Sequence, residues 1–308
     1  TYADINTLYG LSGISGLGNE AVTISDTTSA ANVSGILSKT SGVVTATVTS
    51  DTAASLNSAL TNTTGNDALT LTVTGTAAAT DLTALDGKTS VNVGATAVTT
   101  ITGTQAQVVA INVGTITTSG NYAVTLSDTS LSAAAIKTVN TQNGTGAIDI
   151  SSVTTITSST AADVLEIVNN TNSTFTTAAN YAVTLSGISS ASDVNTIVND
   201  TTGIVTATVT EATAASLNSA LANASSTDAL TLTLTDTALA SADDLIALDG
   251  KTSVAVNATS VTSVTDTYAD INTLYGLSGI SGLGDEAVTI SDETSAVNVN
   301  GILSKTSG

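Results

Sequence analysis

The sequence predicts an α/β fold: a solenoid of about 25-residue strand–helix repeats, here called coils, with one parallel sheet, a threonine-rich exposed face and short helices on the other side. Three observations support this prediction. The sequence repeats itself, apolar residues recur three and four positions apart in some segments, and they alternate with threonine in others. The 308 residues, 41% of them apolar, also fit a folded chain. A parallel β-helix is the alternative architecture.

The long repeat returns after 266 residues, because residues 267–308 repeat residues 1–42. Only four of these 42 positions differ: Asn19/Asp285, Thr27/Glu293, Ala31/Val297 and Ser34/Asn300. A shorter, imperfect repeat is also present. The segment TAASLNSAL at 52–60 recurs at 213–221, and DLTALDGKTS at 81–90 recurs as DLIALDGKTS at 244–253. We therefore expect one large repeat at 1–266, the start of the next at 267–308, no separate domains, and a parent chain that continues in both directions.

Short helices are predicted where a polar or small residue precedes apolar residues spaced three and four apart. These helices are marked by Ile5/Leu8/Tyr9, Val33/Ile36/Leu37, Leu56/Leu60, Leu82/Leu85, Val164/Ile167/Val168, Val194/Ile197/Val198 and Leu245/Leu248.

Strands are predicted where apolar residues alternate with threonine. The clearest segments are 22–24, 44–48, 69–73, 124–126, 183–185 and 230–234. Strand starts fall near 21, 43, 68, 91, 123, 147, 182, 204, 229, 254 and 287, which is ten steps per large repeat. A helix between successive strands makes those strands parallel, and the regular threonines leave one sheet face in water.

The candidate surface-binding residues are the threonines of that exposed face. They are Thr45, Thr47, Thr49, Thr70, Thr72, Thr74, Thr206, Thr208, Thr210, Thr231, Thr233 and Thr235. Threonine is well suited to an exposed strand position, so rows of it need no ligand. The alternative is binding of ice or another ordered surface, since the T-x-T rows resemble those of β-solenoid antifreeze proteins.

The composition excludes several kinds of site. His, Cys, Arg, Pro, Met and Trp are absent, which excludes Ser-His-Asp and Cys-His catalysis, zinc sites built from His or Cys, haem and iron–sulfur clusters. A net charge of −20 disfavours nucleic acid and anionic membranes, and no apolar run approaches the roughly 20 residues of a membrane span. The acids are spread with the repeat and form no isolated glycosidase pair. We expect no enzyme, no cofactor, no nucleic-acid partner and no membrane insertion.

Acids and lysines recur at the ends of the predicted helices. Asp26, Asp128, Glu211, Asp236, Asp266 and Asp292 precede helical segments and are placed to cap them, while Lys39, Lys88, Lys137, Lys251 and Lys305 lie near helix ends, where carbonyl groups attract a cation. Calcium is an alternative explanation of the acids, with Glu20 near Asp26, or Asp285 and Glu286 near Asp292. The sequence holds no familiar calcium loop, so no ligands are assigned.

Two resemblances follow from these motifs. Segments 89–101 and 253–264 are similar in architecture to the strand-and-turn half of leucine-rich repeats. The motifs A-V-T-[IL]-S-D, G-[IV]-V-T-A-T-V-T, D-L-x-A-L-D-G-K-T-S-V and G-L-G-[ND]-E-A-V-T resemble the Thr/Ala-rich tandem repeats of very large secreted or cell-surface proteins of marine cyanobacteria.

The second resemblance implies an extracellular or cell-surface location and a structural or adhesive role. We expect a non-enzymatic repeat segment that forms a rod, filament or surface layer, whose partners are neighbouring copies of the repeat. The alternative is an adhesin or ligand-binding module that uses the threonine face to engage a glycan, a cell surface or ice.

Overall fold

The computed structural model describes residues 1–111 and 115–308, and over these residues the chain is α/β with parallel sheets. The helices are α1 Tyr2–Tyr9, α2 Ala30–Leu37, α3 Ala53–Ala59, α4 Ala79–Asp86, α5 Gln105–Ala110, α6 Ala133–Gln142, α7 Ala161–Val168, α8 Ala191–Asp200, α9 Ala214–Ala220, α10 Ala242–Asp249, α11 Tyr268–Leu274 and α12 Ala296–Leu303. All seven helices marked by apolar spacing are present at the predicted positions.

The strands are short, and every pairing between them within the described residues is parallel. They are β1 Val22–Thr23, β2 Val44–Thr47, β3 Ala68–Thr70, β4 Thr72–Ala78, β5 Val93–Gly103, β6 Ile116–Thr118, β7 Ala123–Leu126, β8 Ser130–Ser132, β9 Ile148–Ile150, β10 Thr155–Ser159, β11 Phe175–Thr177, β12 Ala182–Ser189, β13 Val205–Val209, β14 Ala229–Thr231, β15 Leu239–Ser241, β16 Val256–Asn257, β17 Ser263–Asp266, β18 Ile280–Ser281 and β19 Ala287–Ile290.

Most helices begin after a serine or threonine, because its side-chain oxygen accepts a hydrogen bond from a backbone N–H of the first turn. Thr52 Oγ1 accepts from the N–H of Ser55 at 3.2 Å, and Thr213 Oγ1 accepts from that of Ser216 at 3.3 Å. Thr104 and Gln107 form a reciprocal capping box at the start of α5. The hydroxyl-rich composition therefore fixes where these short helices start.

The first compact unit comprises residues 1–129, 135–153 and 170–177. It holds a sheet of strand order β1-β2-β3 and a sheet of order β11-β9-β7-β5-β4, with β6 beside β5. Its core side chains are almost fully buried, and Val44, Leu69 and Leu82 are each 0% exposed.

The second compact unit comprises residues 130–134, 154–169 and 178–308. Its sheets have the strand orders β14-β13-β12-β10-β8, β15-β17-β19 and β16-β18. Val205, Leu230 and Leu245 are 0% exposed in its core.

The predicted single sheet is wrong, because the strands lie in five sheets over the described residues. The reason is visible between α10 and α11, where the chain forms two strands, β16 and β17, that belong to different sheets. Ala258 and Val261 are buried in the turn between them. The predicted strand near 254 is β16. Strand β17 was not predicted, because Val264 is its single apolar residue and one apolar residue cannot show an alternating pattern.

The alternation predicted for the clearest strands is confirmed by burial. Along β13, Val205, Ala207 and Val209 are buried, while Thr206 and Thr208 are exposed. None of the helices in the described parts of the chain has the length and apolar character needed to cross a membrane.

Candidate functional site

Each unit carries one set of the predicted threonines. In the first unit Thr45, Thr47, Thr49, Thr70 and Thr72 are exposed and Thr74 is half-buried. In the second unit Thr206, Thr208, Thr210, Thr231 and Thr235 are exposed and Thr233 is half-buried. We call these the first and second threonine surfaces.

Threonines on neighbouring strands stand opposite one another only in part. Thr47 pairs with Thr70 in the first surface, and Thr208 pairs with Thr231 in the second. Thr45 instead stands opposite Ala68. The rows are therefore interrupted, and each surface offers short T-x-T patches in place of long ladders.

The acids after the strands do cap helices, but mainly the helix of the preceding coil. Asp26 Oδ1 accepts a 2.7 Å hydrogen bond from the backbone N–H of Tyr2, at the start of α1. Asp236 Oδ2 accepts one of 2.8 Å from Ala214, at the start of α9. Asp128 caps α5 and Asp292 caps α11 in the same way, both at 2.7 Å. Each cap therefore joins two successive coils, and its charge complements the helix dipole.

The capped helix differs from the one that the sequence predicts. Sequence proximity favoured the helix that follows each acid, whereas the partner lies 24 residues upstream for Asp26 and 22 for Asp236. For Asp128 and Asp292, the strand before the acid pairs with the strand that leads into the earlier helix, so the carboxylate lies next to the start of that helix.

Four of the five lysines stand in a Lys-Thr-Ser tripeptide, which also links neighbouring coils. The Lys251 ammonium donates to the carbonyl of Leu221 at 3.0 Å, at the C-terminal end of α9. Lys88 likewise donates to the carbonyl groups of Asn57 and Leu60, in the last turn of α3 and at its C-cap. The predicted pairing of lysines with helix carbonyls is confirmed at these two positions, where the helix again belongs to the coil before.

The threonine of the tripeptide is buried and bonds to the strand of the preceding coil. Thr252 Oγ1 donates to the carbonyl of Leu230 at 2.7 Å and accepts from its N–H at 2.9 Å. Thr89 makes the same two bonds to Leu69, at 2.8 and 3.0 Å. The serine continues the link, since the N–H of Ser253 donates to the carbonyl of Asp228 at 2.7 Å.

The sequence alone does not reveal this role of the tripeptide. The recurrence of Lys-Thr-Ser at 39–41, 88–90, 251–253 and 305–307 was the available signal. The role of the tripeptide depends on which backbone groups of the preceding coil lie beside it, and these are determined by the register of successive coils. The tripeptide is thus a structural device that satisfies backbone groups between coils.

Four of the five acids suggested for calcium accept hydrogen bonds within the chain: Glu20, Asp26, Glu286 and Asp292. Glu20 accepts hydrogen bonds from the Tyr9 hydroxyl and from the N–H of Gly18, and together they lower the pKa of Glu20 to about 2. In the second copy, Tyr275 donates to Glu286, which is 0% exposed. In each copy the tyrosine–glutamate hydrogen bond joins the two ends of the glycine-rich loop that lies between them.

A different acid cluster does form in the second unit. Carboxylate oxygens of Asp243, Asp266 and Asp270 lie within 4.8 Å of one another, and among the described residues this is the group with the spacing of a cation site. The negative charges of Asp266 and Asp270 raise the pKa of Asp243. Burial opposes ionisation of Asp266, but hydrogen bonds from Ser241 and from backbone N–H groups leave its pKa below the usual value.

Comparisons of this chain with protein-family models, with curated proteins and with solved structures return no match.

Proposed function

We propose that this chain is a non-enzymatic structural repeat segment of a large extracellular protein. Its coils would stack as a solenoid and build a rod, a filament or a surface layer through head-to-tail continuation of the repeat. The observation that carries the proposal is the recurrence of the same links between successive coils. Because carboxylate caps and threonine links of the same kind recur between coils along the chain, a chain can lengthen without new kinds of contact.

The two copies of the long repeat illustrate this recurrence. Asp26 accepts from Tyr2 at 2.7 Å, and Asp292 accepts from Tyr268 at 2.7 Å. The Thr40 hydroxyl donates to the carbonyl of Glu20 at 2.6 Å, and Thr306 donates to that of Glu286 at 2.7 Å. The same links at both places support neighbouring repeats as the main partner.

The charge supports an extracellular or cell-surface setting. With 25 acidic residues against five lysines, the surface repels like surfaces and nucleic acid, and it stays hydrated in salt water. These properties suit a protein that covers or extends from a cell.

Electron imaging of the native, full-length protein in its own salt medium tests the proposal. We expect continuous fibres or sheets with an axial period near 50 Å, since ten stacked coils, one for each helix from α1 to α10, give that length at about 4.8 Å each. Discrete short particles would overturn the structural role.

A second candidate function is surface binding through the threonine surfaces. The observation in its favour is the exposure of in-register pairs, Thr47 with Thr70 and Thr208 with Thr231. Ice-recrystallisation inhibition and glycan-array binding test it, with Thr47→Lys and Thr208→Lys as variants. Activity that both substitutions abolish would support this function; activity that neither changes would remove it.

A further inference from the structure

Helices α3 and α9 have the same sequence, AASLNSA, and each packs beside a helix of one related type. Helix α3 lies beside α2, with sequence AANVSGIL, and α9 lies beside α8, which begins ASDVNTIV. Helix α12, AVNVNGIL, is a third helix of this type. In two places, therefore, a coil with the helix AASLNSA packs on a helix of this type.

Apolar side chains of α12 are exposed to solvent at positions where the equivalent side chains of α2 are buried. Val33 and Leu37 of α2 are 0% and 7% exposed, whereas the equivalent Val299 and Leu303 of α12 are 37% and 62% exposed. Together with Val288 and Ile290, these two residues form what we call the α12 face, a shallow apolar recess. In the first long repeat, the equivalent surface on α2 and β1 is covered by the coil that contains β2 and α3.

The strands give the register of that cover. Val22 pairs with Val44, and its N–H donates to the carbonyl of Val43 at 2.9 Å. Val183 pairs with Val205 and makes the equivalent 2.9 Å bond to Ile204. Val288 stands at the position of Val22 in the long repeat, so the same backbone donor is placed for the same bond.

One of the four differences between the long repeats lies on this face. Ser34 of α2 accepts from the N–H of Thr61 at 3.3 Å, and Asn300 replaces it in α12. Helix α8 shows that asparagine is compatible with the same cover, since Asn195 Oδ1 accepts from the N–H of Asn223 at 2.8 Å. Asn300 is therefore suited to accept a hydrogen bond from the backbone just after the helix of a covering coil.

We propose that the α12 face binds a further coil of the G-[IV]-V-T-A-T-V-T-x-x-T-A-A-S-L-N-S-A-L type, the type formed by residues 42–60 and 203–221. This inference rests on the proposed function and names the contact by which one long repeat joins the next. The valine that corresponds to Val44 pairs with Val288, the helix covers Val299 and Leu303, and Asn300 accepts a hydrogen bond from the backbone after the helix.

The test extends the intact 308-residue chain beyond Gly308 with a second copy of residues 43–66. Gly308 corresponds to Gly42, so the joint reproduces a natural one. Hydrogen exchange of the α12 amides is compared with and without the extension. We expect the amides of Val299 and Leu303 to exchange about 100-fold more slowly in the extended chain, because the covering coil buries both side chains. Equal exchange rates in the two chains would overturn the proposal.

Two matched variants separate specific packing from added length. An extension carrying Leu56→Asp should give no protection, because its own buried side chain is lost. Leu303→Lys should leave the unextended chain almost unchanged and should remove the protection in the extended one. Protection that survives both substitutions would also overturn the proposal.

The outcome is independent of the imaging experiment. Protection of α12 together with discrete particles would retain the coil contact and reject the fibre role. Fibres together with an unprotected α12 would retain the role and reject this contact.

Discussion

Asp236 accepts a 2.8 Å hydrogen bond from the backbone N–H of Ala214, which begins the helix one coil earlier. Asp236→Ala should lower the free energy of unfolding by about 1 kcal/mol, because it removes a cap and a charge that complements the helix dipole. Chemical denaturation measures this loss, and faster amide exchange in α9 should accompany it. Glu211→Ala, at an exposed acid near the same helix, serves as the control and should change stability by less than about 0.5 kcal/mol. Equal effects of the two substitutions would contradict the cap.

Thr231 is the last residue of β14 and Leu232 follows it directly, yet Thr231 is exposed and Leu232 is buried. Leu232 is 0% exposed, so Leu232→Asp should destabilise the protein by more than about 4 kcal/mol through an unpaired buried charge. Thr231→Asp should cost about 1 kcal/mol or less, since its side chain is exposed. Thermal melting of both variants checks the strand orientation, which unchanged melting of Leu232→Asp would refute.

Gly203 lies against the backbone of the preceding coil. A Cβ atom there would be 2.3 Å from the Tyr181 carbonyl oxygen, so Gly203→Ala should cost about 2–3 kcal/mol. Gly35, inside α2, has open space at its Cβ position, and Gly35→Ala should stabilise by about 0.5–1 kcal/mol. Denaturant titration should show a lower free energy of unfolding for Gly203→Ala and a higher one for Gly35→Ala. A higher value for both variants would mean that the coils are not in such close contact at Gly203.

Tyr181 donates a 2.6 Å hydrogen bond to Asp200, and burial together with the Asp200 charge raises the pKa of Tyr181. The native state therefore keeps this proton after the unfolded state has lost it, and stability should fall as the pH rises above about 10. Tyr181→Phe should cost about 1–2 kcal/mol at pH 7 and reduce the alkaline loss. Denaturation at pH 8 and pH 11 measures both effects. Asp200→Asn should reduce the loss partly, and an alkaline slope identical in all three proteins would contradict this origin.

Asp243 has a raised pKa because Asp266 and Asp270 repel its charge. Its ionised form destabilises the native state at neutral pH, and the penalty should fade as the pH falls through the raised pKa toward the unfolded value of 3.8. Asp243→Asn should therefore raise the melting temperature at pH 7 in EDTA, and the gain should vanish near pH 3. Asp285→Asn, at another exposed acid, should have a smaller effect. A lower melting temperature for Asp243→Asn would indicate that this carboxylate makes a favourable contact.

The parts of the structure that depend on local pattern were predictable. The alternation of Val205, Ala207 and Val209 with threonine determines which strand face is buried, and the spacing of Val194 and Ile197 determines the inner side of a helix. Helix α5 was not predicted, since Val108 is its one fully buried residue and a single apolar position shows no period.

The contacts between coils were not predictable in the same way. Lys251 and Thr252 bind groups 30 and 22 residues upstream, at Leu221 and Leu230. Nothing in the local sequence gives those separations, because they depend on the length of each loop and on the register of parallel strands. The division into several sheets has the same origin, since a turn such as the one before Val261 redirects the chain without altering the apolar period.

The carboxylate caps give the chain a direction of assembly. Each capped helix is completed by an acid that the ribosome adds 22 to 24 residues later, as Asp236 completes α9 and Asp26 completes α1. During synthesis such a helix has its own threonine cap but lacks the carboxylate cap until the following strand has also left the exit tunnel. Folding on the ribosome would thus trail synthesis by one coil, and each new coil would secure the one made before it.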